Sequence, residues 1–550
     1  MTDTQLYGEP VLLEGRAIYF TSWKYVRQGG FSYQRETAPT AGEATDPIAA
    51  ALYSSDGPRP ARYTPRDIPT GIRLVAQQGQ RVPLEGKPLG QQFTVIQDGG
   101  RYRAWYGVPP CPDPEPFSTK QHMLHGNNAH VAYAESADGI HWEHPSLGLF
   151  EYAGSRDNNL VLRNDLDGSL RGWHGGCVFL DPTSQEERYK MVFLGTISDE
   201  EWEAFADKYP GEINFTARRQ PMGGYRLVCA LCGAVSPDGI HWRNLPEPLL
   251  VDHCDTQNTC YYDVDRQLYV AYVRTWQVTP QAEEYAAQFP DSWIAAGRRS
   301  IGRAVSRDFR HFTRPEVVVA PGADMAPSHL WYTNGKTALP GCPDQHVLFP
   351  WRWELESDEG DCYLFSSADG WAWSQVPGGP VVERGIPGTP DGAYVVCSPN
   401  LVELPGERWG IPYHGWPIPH KYPGRDLSKR TGLFPGVPDC QGYAIWPKGR
   451  LVALECRDEG SFATVGLVPP GNRIRLNATI RPAGYIRVAV QRLDGEALPG
   501  RTFADCDPLV GDGLAMPVTW RGEDYLEQTG APLRLAFEMR QACLYGVEFI

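Results

Sequence analysis

"HVAYAESADGIHW", residues 130–142, is an alternating apolar run that ends in Ser136-x-Asp138-x-x-x-Trp142. The pattern returns as Ser236-Asp238-Trp242, Ser306-Asp308-Phe312 and Ser367-Asp369-Trp373, each time after a strand-like run: "LCGAVS", "IGRAVS", "CYLFSS". Self-similarity along a chain decides its architecture before any single residue does. Three of the copies contain Asp-Gly, a tight-hairpin signal when strands flank it. The aromatic then opens the next strand, where a large ring suits a seam between packed sheets. Each copy therefore reads as the outer hairpin of one small antiparallel sheet, and several such sheets in sequence read as a β-propeller.

Outward from each copy, the remaining strands follow. "RYRAWYGV", "RYKMVFLG", "QLYVAYVRT" and "QHVLFPWRW" are second strands, rich in aromatic and β-branched residues. "QQFTVIQDG", "GGCVFLDP", "QNTCYYDV" and "SHLWYTNG" precede them as innermost strands. A fifth sheet is expected from "DGAYVVCSPNLVEL" and "ERWGIPYHGW", although the motif is missing there. A sixth would follow if "PVLLEGRAIYF" and "TSWKYV" formed a blade; they could equally pair with the C-terminal strands. Two insertions, "SDEEWEAFADKYPGEINF" and "PQAEEYAAQFPDSW", read as helical and would emerge on loops. From about Gly449 the repeat stops, and "RIRLNATI", "GYIRVAVQRLDG" and "PLRLAFEMRQACLYGVEFI" alternate as strands of a second domain. The expected fold is all-β: a five-bladed propeller over 70–448, then a β-sandwich over 449–550, with N-terminal strands and a connecting loop over 1–69.

Composition bounds the function. A net charge of −15 argues against nucleic acid and anionic membrane as partners. No apolar run approaches the roughly 18–20 residues that cross a bilayer. "MTDTQLYGEP" shows no signal peptide, and the thirteen cysteines lack framework spacing; both point to a reducing cytoplasm. "CALC", residues 229–232, lies in a strand-like run without a second pair and reads as structural. No metal or cofactor pattern is present; His414, Trp416 and His420 in "YHGWPIPHKYP" fit no zinc spacing and read as a funnel-mouth loop.

"YAESADGIHWEHPSLGLFEYAGSRDNNLVL" and "RIRLNATI…GYIRVAVQRLDGEALPG", together with the propeller-then-sandwich order, resemble the glycoside hydrolase family 32 and 43 superfamily. The resemblance runs from about Gly79 to the C-terminus. It implies a glycosidase with a carbohydrate substrate and no cofactor, and leaves homo-oligomerisation open. The Trp-Met-Asn-Asp-Pro-Asn-Gly signature of invertases is missing, so architecture is implied before substrate.

Glycosidic cleavage requires two carboxylates flanking the bond, one of them protonated. In a propeller such residues sit at the starts of innermost strands. "VDHCDTQNTCYYD" offers Asp255 as a catalytic carboxylate, with Gln257 and Asn258 as sugar-hydroxyl partners; a turn-capping Asp is the competing reading. "ERGIPGTPDGAYVV" offers Asp391 as the partner carboxylate, against an ordinary Asp-Gly turn. Trp173 and His174 suit a sugar subsite or a packed core pair, and Tyr332, Asn334, Arg352 and His414 are further substrate-binding candidates. The motif aspartates repeat, as catalytic groups rarely do, and are expected to accept backbone N–H bonds. Two other readings stay open. One is a non-catalytic carbohydrate-binding propeller. The other is a five-bladed phosphorylase, for which Arg352 and Lys336 would have to form the phosphate pocket.

Overall fold

In a computed structural model, residues 10–13, 17–27, 68–84, 89–108, 129–163, 172–213, 219–222, 225–252, 254–278, 297–420, 437–527 and 530–550 are described. The chain divides into two compact units, one of residues 78–375 and 379–446, the other of 1–77, 376–378 and 447–550.

The first unit is the propeller. Blade one pairs Gln91–Asp98, Arg101–Val108, His130–Ser136 and Leu160–Leu162 in order. Blade two pairs His174–Leu180, Tyr189–Ile197, Tyr225–Ser236 and Arg243–Asn244. Blade three pairs Thr259–Asp263, Leu268–Gln277, Arg298–Ser306 and Glu316–Val319. In blade four the strands are interrupted: His329–Trp331 and Thr337–Leu339, then Cys342–Leu348 and Trp351–Glu354, then Glu359–Cys362 and Phe365–Ser367, then Ser374–Gln375. Blade five begins with Tyr394–Cys397 and Val402–Leu404, continues through Arg408–Trp416 and Cys440–Pro447, and takes its outer strand, Gln80–Pro83, from ahead of blade one.

Hydrogen bonds between neighbouring blades run round the five and return to the first, the last of them from the third strand of blade five. Thr94 Oγ1 donates to Gly176 O, the Asn258 N–H to Gly175 O, and Thr259 Oγ1 to Asn334 Oδ1. The Leu401 N–H donates to Thr337 Oγ1, and Gln441 Nε2 to Gly90 O. Apolar clusters fill the seams: Trp105, Tyr133 and Met191 between blades one and two, Phe179, Tyr269 and Phe309 between two and three, Tyr272, Trp331 and Phe365 between three and four.

The four motif turns are nearly identical and structural. In the first, Asp138 Oδ1 accepts the N–H groups of Ile140 and His141 at 2.8 Å each, and Ser136 Oγ accepts that of Gly139 at 2.9 Å. The pattern repeats at Asp238, Asp308 and Asp369. Backbone and side-chain hydrogen bonds hold all four carboxyls below the usual carboxylate range, against burial, which alone would raise them. The residue after each Asp takes a positive φ: Gly139 at 78°, Gly239 at 80°, Gly370 at 70°, and Phe309 at 58°. Phe309 accepts the left-handed conformation, which costs of order 1 kcal/mol, because its fully buried ring fills the seam between blades two and three. Each turn joins a third strand to the rest of its blade, at the end opposite to where the first strands begin. Blade five has no motif because its third and fourth strands are not consecutive in the chain, so no hairpin joins them.

The second unit differs from expectation at its boundary. Thr70–Ala76, assigned from sequence to the propeller region, pairs with Val452–Ala463 instead. Ile18–Tyr19 pairs with Arg534–Phe549, and Val11–Leu12 with Leu467–Val468, so these N-terminal strands build no sixth blade. "TSWKYV" carries a 3-10 turn over Trp23–Tyr25 rather than a strand. The long strands Val452–Ala463, Arg534–Phe549 and Ile474–Gln491 are hydrogen-bonded with Thr70–Ala76 and Asp512–Pro517. Register shifts, as between Ile480 and Tyr485, bend such strands locally.

Of the two helical insertions, the first forms Asp199–Lys208, started by a capping box of Ser198 and Glu201. The second lies outside the described residues, as does His253. Among the described residues, no helix is long and apolar enough to cross a membrane, and no three His, Cys, Asp or Glu side chains gather to hold a metal ion.

Candidate active site at the propeller mouth

One end of the propeller, called here the mouth, collects the starts of first strands, the ends of second strands and the starts of third strands. Asp255 lies there, just ahead of Thr259–Asp263. Its Oδ1 is 2.5 Å from Arg274 Nη1 and 2.9 Å from Arg299 Nη2. Arg274 comes from the second strand of blade three and Arg299 from the third, and both side chains are buried. Trp276 and Arg299 are cross-strand partners, which places Arg299 on the same face of the blade as Arg274. The Asp255 carboxylate stays 31 % exposed between them. Two buried guanidiniums converging on one half-exposed carboxylate fix its position by charge-assisted hydrogen bonds. Burial lowers the pKa of Arg299, while Tyr332 and then Asp255 oppose the fall.

Tyr332 continues the site. The Arg299 guanidinium lies over its ring, 3.3 Å from the centroid. Its hydroxyl is 3.1 Å from His420 Nε2. Beyond it runs a stack between blades four and five: Trp351 on Tyr394 at 4.9 Å, Tyr394 on Trp416 at 4.6 Å, and Trp416 on His414 at 3.8 Å. Alternation puts Tyr394, His414 and Trp416 on one face of blade five, where Tyr394 pairs with Trp416 and Val396 with His414. His414 Nε2 meets Asp439 Oδ2 at 2.5 Å. An unbroken run of contacts thus links Asp255, Arg299, Tyr332, His420, Tyr394, Trp416, His414 and Asp439.

Other sequence candidates fall elsewhere. Asp391 begins the approach to blade five, but its Oδ2 is ion-paired with Arg81 and its Oδ1 accepts from Thr389 Oγ1. Only 11 % of its side chain is exposed. Trp173 is core: its ring packs on Gly107 and Gly176, and its indole N–H reaches Met191 Sδ. Asn258 donates to the carbonyls of Cys254 and Thr256. Asn334 spends all its capacity internally, accepting from Thr259 Oγ1 and the Lys336 N–H and donating to Gln257 O and Tyr272 O. Gln257 is buried and reaches Phe93 O. Gln257 and Asn334 tie innermost strands of different blades together, and Asn258 braces the loop that leads into its own strand, which accounts for polar side chains at these strand starts. His174 is half-buried and pairs with Gln92, 3.2 Å away. Arg352 pairs with Glu354 and covers Tyr363, the salt-bridge reading of that pair. Lys336 is buried over Tyr261, so neither it nor Arg352 forms a phosphate cradle.

Sequence reasoning missed Arg274, Arg299 and Asp439. The arginines sit inside strands, where a basic residue reads as solvent-facing. Asp439 precedes "CQGYAIWP", a strand that no motif announces.

No family model matches the chain, and no curated protein matches it. Similar solved structures include a glycoside hydrolase at 14% identity and TM-score 0.40, covering 68% of this chain and 92% of that one. A thermostable family-43 glycoside hydrolase is 12% identical at TM-score 0.39, over 66% and 94% of the two chains. A Bombyx mori GH32 beta-fructofuranosidase is 11% identical at TM-score 0.36, over 88% and 94%.

Proposed function

We propose that the chain is a glycoside hydrolase that cleaves a small or soluble glycan at the propeller mouth, with Asp255 as one of two catalytic carboxylates. The observation that carries this reading is the half-exposed Asp255 carboxylate, held by two buried arginines at the place where the first strand of blade three begins. A fixed carboxylate opening on a mouth bordered by Tyr332, Trp416 and His420 matches what sugar binding and proton abstraction from water require. The guanidiniums are always charged, so Asp255 serves as the anion of the pair.

The test is turnover of a panel of nitrophenyl glycosides and oligosaccharides by the wild type and by Asp255→Asn. Loss of about 10³-fold in kcat is expected. Because Asn leaves Arg274 and Arg299 without their shared charge, a stability loss of about 3 kcal/mol accompanies it, and kcat is read at a temperature where the variant remains folded. Turnover at the wild-type rate by folded Asp255→Asn would sink the assignment.

A further inference from the structure

We propose that Gln92, on blade one, is a positioning residue for Asp255, on blade three, and acts on it through the first residues of blade two. The proposal rests on the hydrolase reading above and extends its machinery across three blades.

A backbone outlier marks the place. Gln91 pairs with Gly107 but Thr94 with Trp105, so Gln91–Asp98 carries one extra residue opposite Arg101–Val108. Such a bulge re-aims a side chain at the rim of a sheet. Within it Gln92 takes a φ of +54°, the left-handed region that glycine enters freely and other residues enter at a cost. Glycine would relieve the strain, so what glutamine contributes at this position lies in its side chain.

That side chain leaves its own blade. Gln92 Oε1 accepts the Gly175 N–H at 2.5 Å, and Nε2 lies 3.3 and 3.2 Å from the two ring nitrogens of His174. Gln92 thereby grips the first two residues of His174–Leu180, the innermost strand of blade two. Gly175 passes the hold to blade three. Its carbonyl accepts the Asn258 N–H at 2.8 Å. It has a φ of +59° and no room for a Cβ, which would stand 2.1 Å from Thr256 O. Gly175 is thus held on one side by Gln92 and pressed on the other against the loop that carries Asp255.

Asn258 completes the path. It is fully buried, and its Nδ2 donates to Cys254 O at 3.0 Å and to Thr256 O at 2.9 Å. Cys254 and Thr256 are the residues on either side of Asp255. One amide therefore clamps the loop across Asp255, while the backbone N–H of the same residue is tied to Gly175. Arg274 and Arg299 set where the Asp255 carboxylate points. Gln92, Gly175 and Asn258 set where its backbone stands. A displacement of about 1 Å in a reacting group can cost about 10²-fold in rate, even when its cause lies far from the chemistry.

The experiment measures the coupling with a double-mutant cycle. Gln92→Ala removes the side chain and keeps the strained backbone, whereas Gln92→Gly removes both. Gln92→Gly should therefore melt above Gln92→Ala, yet both should lose about 10²-fold in kcat on the fastest nitrophenyl glycoside, with KM little changed. A merely structural glutamine would let activity follow the melting temperature. In an Asp255→Asn background, Gln92→Ala should cost at most about twofold more, because the group it positions is already gone. Hydrogen exchange reads the loop without a substrate: the amides of residues 254–258 should exchange faster in both Gln92 variants. Wild-type kcat in Gln92→Ala, an equal loss in both backgrounds, or unchanged exchange over 254–258 would overturn the positioning role. A wild type that cleaves no glycoside on the panel would refute the hydrolase reading, and the exchange rates alone would then decide whether Gln92 holds the loop.

Discussion

Lys336 should be a liability that the propeller carries below neutral pH, and replacing it with methionine should stabilise the fold. Its amine is buried, just ahead of Thr337–Leu339 in blade four, 3.4 Å from the centroid of the Tyr261 ring. Burial lowers its pKa from 10.5 to about 7, against opposition from Asp263 and from the thiols of Cys177 and Cys260. Each pKa unit corresponds to about 1.36 kcal/mol, so the protonated amine costs about 5 kcal/mol in the folded state. The Tyr261 face returns about 2 kcal/mol of this as a desolvated cation–π contact. Lys336→Met keeps the length of the side chain, leaves a sulfur against the ring, and should gain about 3 kcal/mol near pH 6. The folded pKa lies below the unfolded one, so the unfolded chain binds more protons between pH 7 and 10.5, and wild-type stability rises with pH across that window. The advantage of methionine should therefore shrink toward about 1 kcal/mol or less as the amine becomes neutral in both states. Urea unfolding followed by tryptophan fluorescence, on both proteins at about pH 6 and about pH 9.5, measures the difference. A variant no more stable than wild type near pH 6, or one whose advantage is the same at both values, would refute the reasoning.

Three further outcomes follow from the seams and turns. Asp138→Ala should cost about 1–3 kcal/mol, because two backbone N–H groups lose their acceptor, yet leave kcat unchanged, since the turn lies at the end away from the mouth; thermal melts and turnover together check it. Gly175→Ala should lower both the melting temperature and kcat: φ is +59°, and a Cβ would stand 2.1 Å from Thr256 O, next to Asp255. Asp98 is held at about 2, first by its hydrogen bond to Arg188 and also by Tyr189, with burial opposing. It contributes stability above pH 3.8 that is lost as pH falls through about 2. Asp98→Asn should thus be less stable than wild type at pH 5, and an acid titration should find the two converging toward pH 2.

The blades were legible because each motif turn is local: Ser136 and Asp138 bind groups within three residues of themselves, so the pattern is written in one short stretch. Its absence from the fifth blade marks a hairpin that does not exist. Gln80–Pro83 could not be read as a strand of blade five, since the residues that make it one begin at Cys440. The candidate site was legible only where its residues announce themselves locally. Asp255 stands at a recognisable strand start, whereas its arginines and the His414–Asp439 pair acquire their roles from cross-strand neighbours. Asn258 and Asn334 misled in the opposite direction. Amides at strand starts suit sugar hydroxyls, loop bracing and inter-blade pinning equally well, and only their partners, Cys254 O for Asn258 and Gln257 O for Asn334, distinguish them.

The outer strand of blade five has a consequence for the order of synthesis. The ribosome makes Gln80–Pro83 before any of blade one, and its partner Cys440–Pro447 only when the propeller is almost complete. At about 5–20 residues per second the early strand waits on the order of tens of seconds with its edge unpaired. Blades one to four can stack on one another as they emerge, but the ring gains its latch only with the last of them. A nascent chain arrested before residue 440 should therefore be open to proteases along its innermost strands, whereas a permuted gene that places Gln80–Pro83 after blade five would deliver the latch and its partner together.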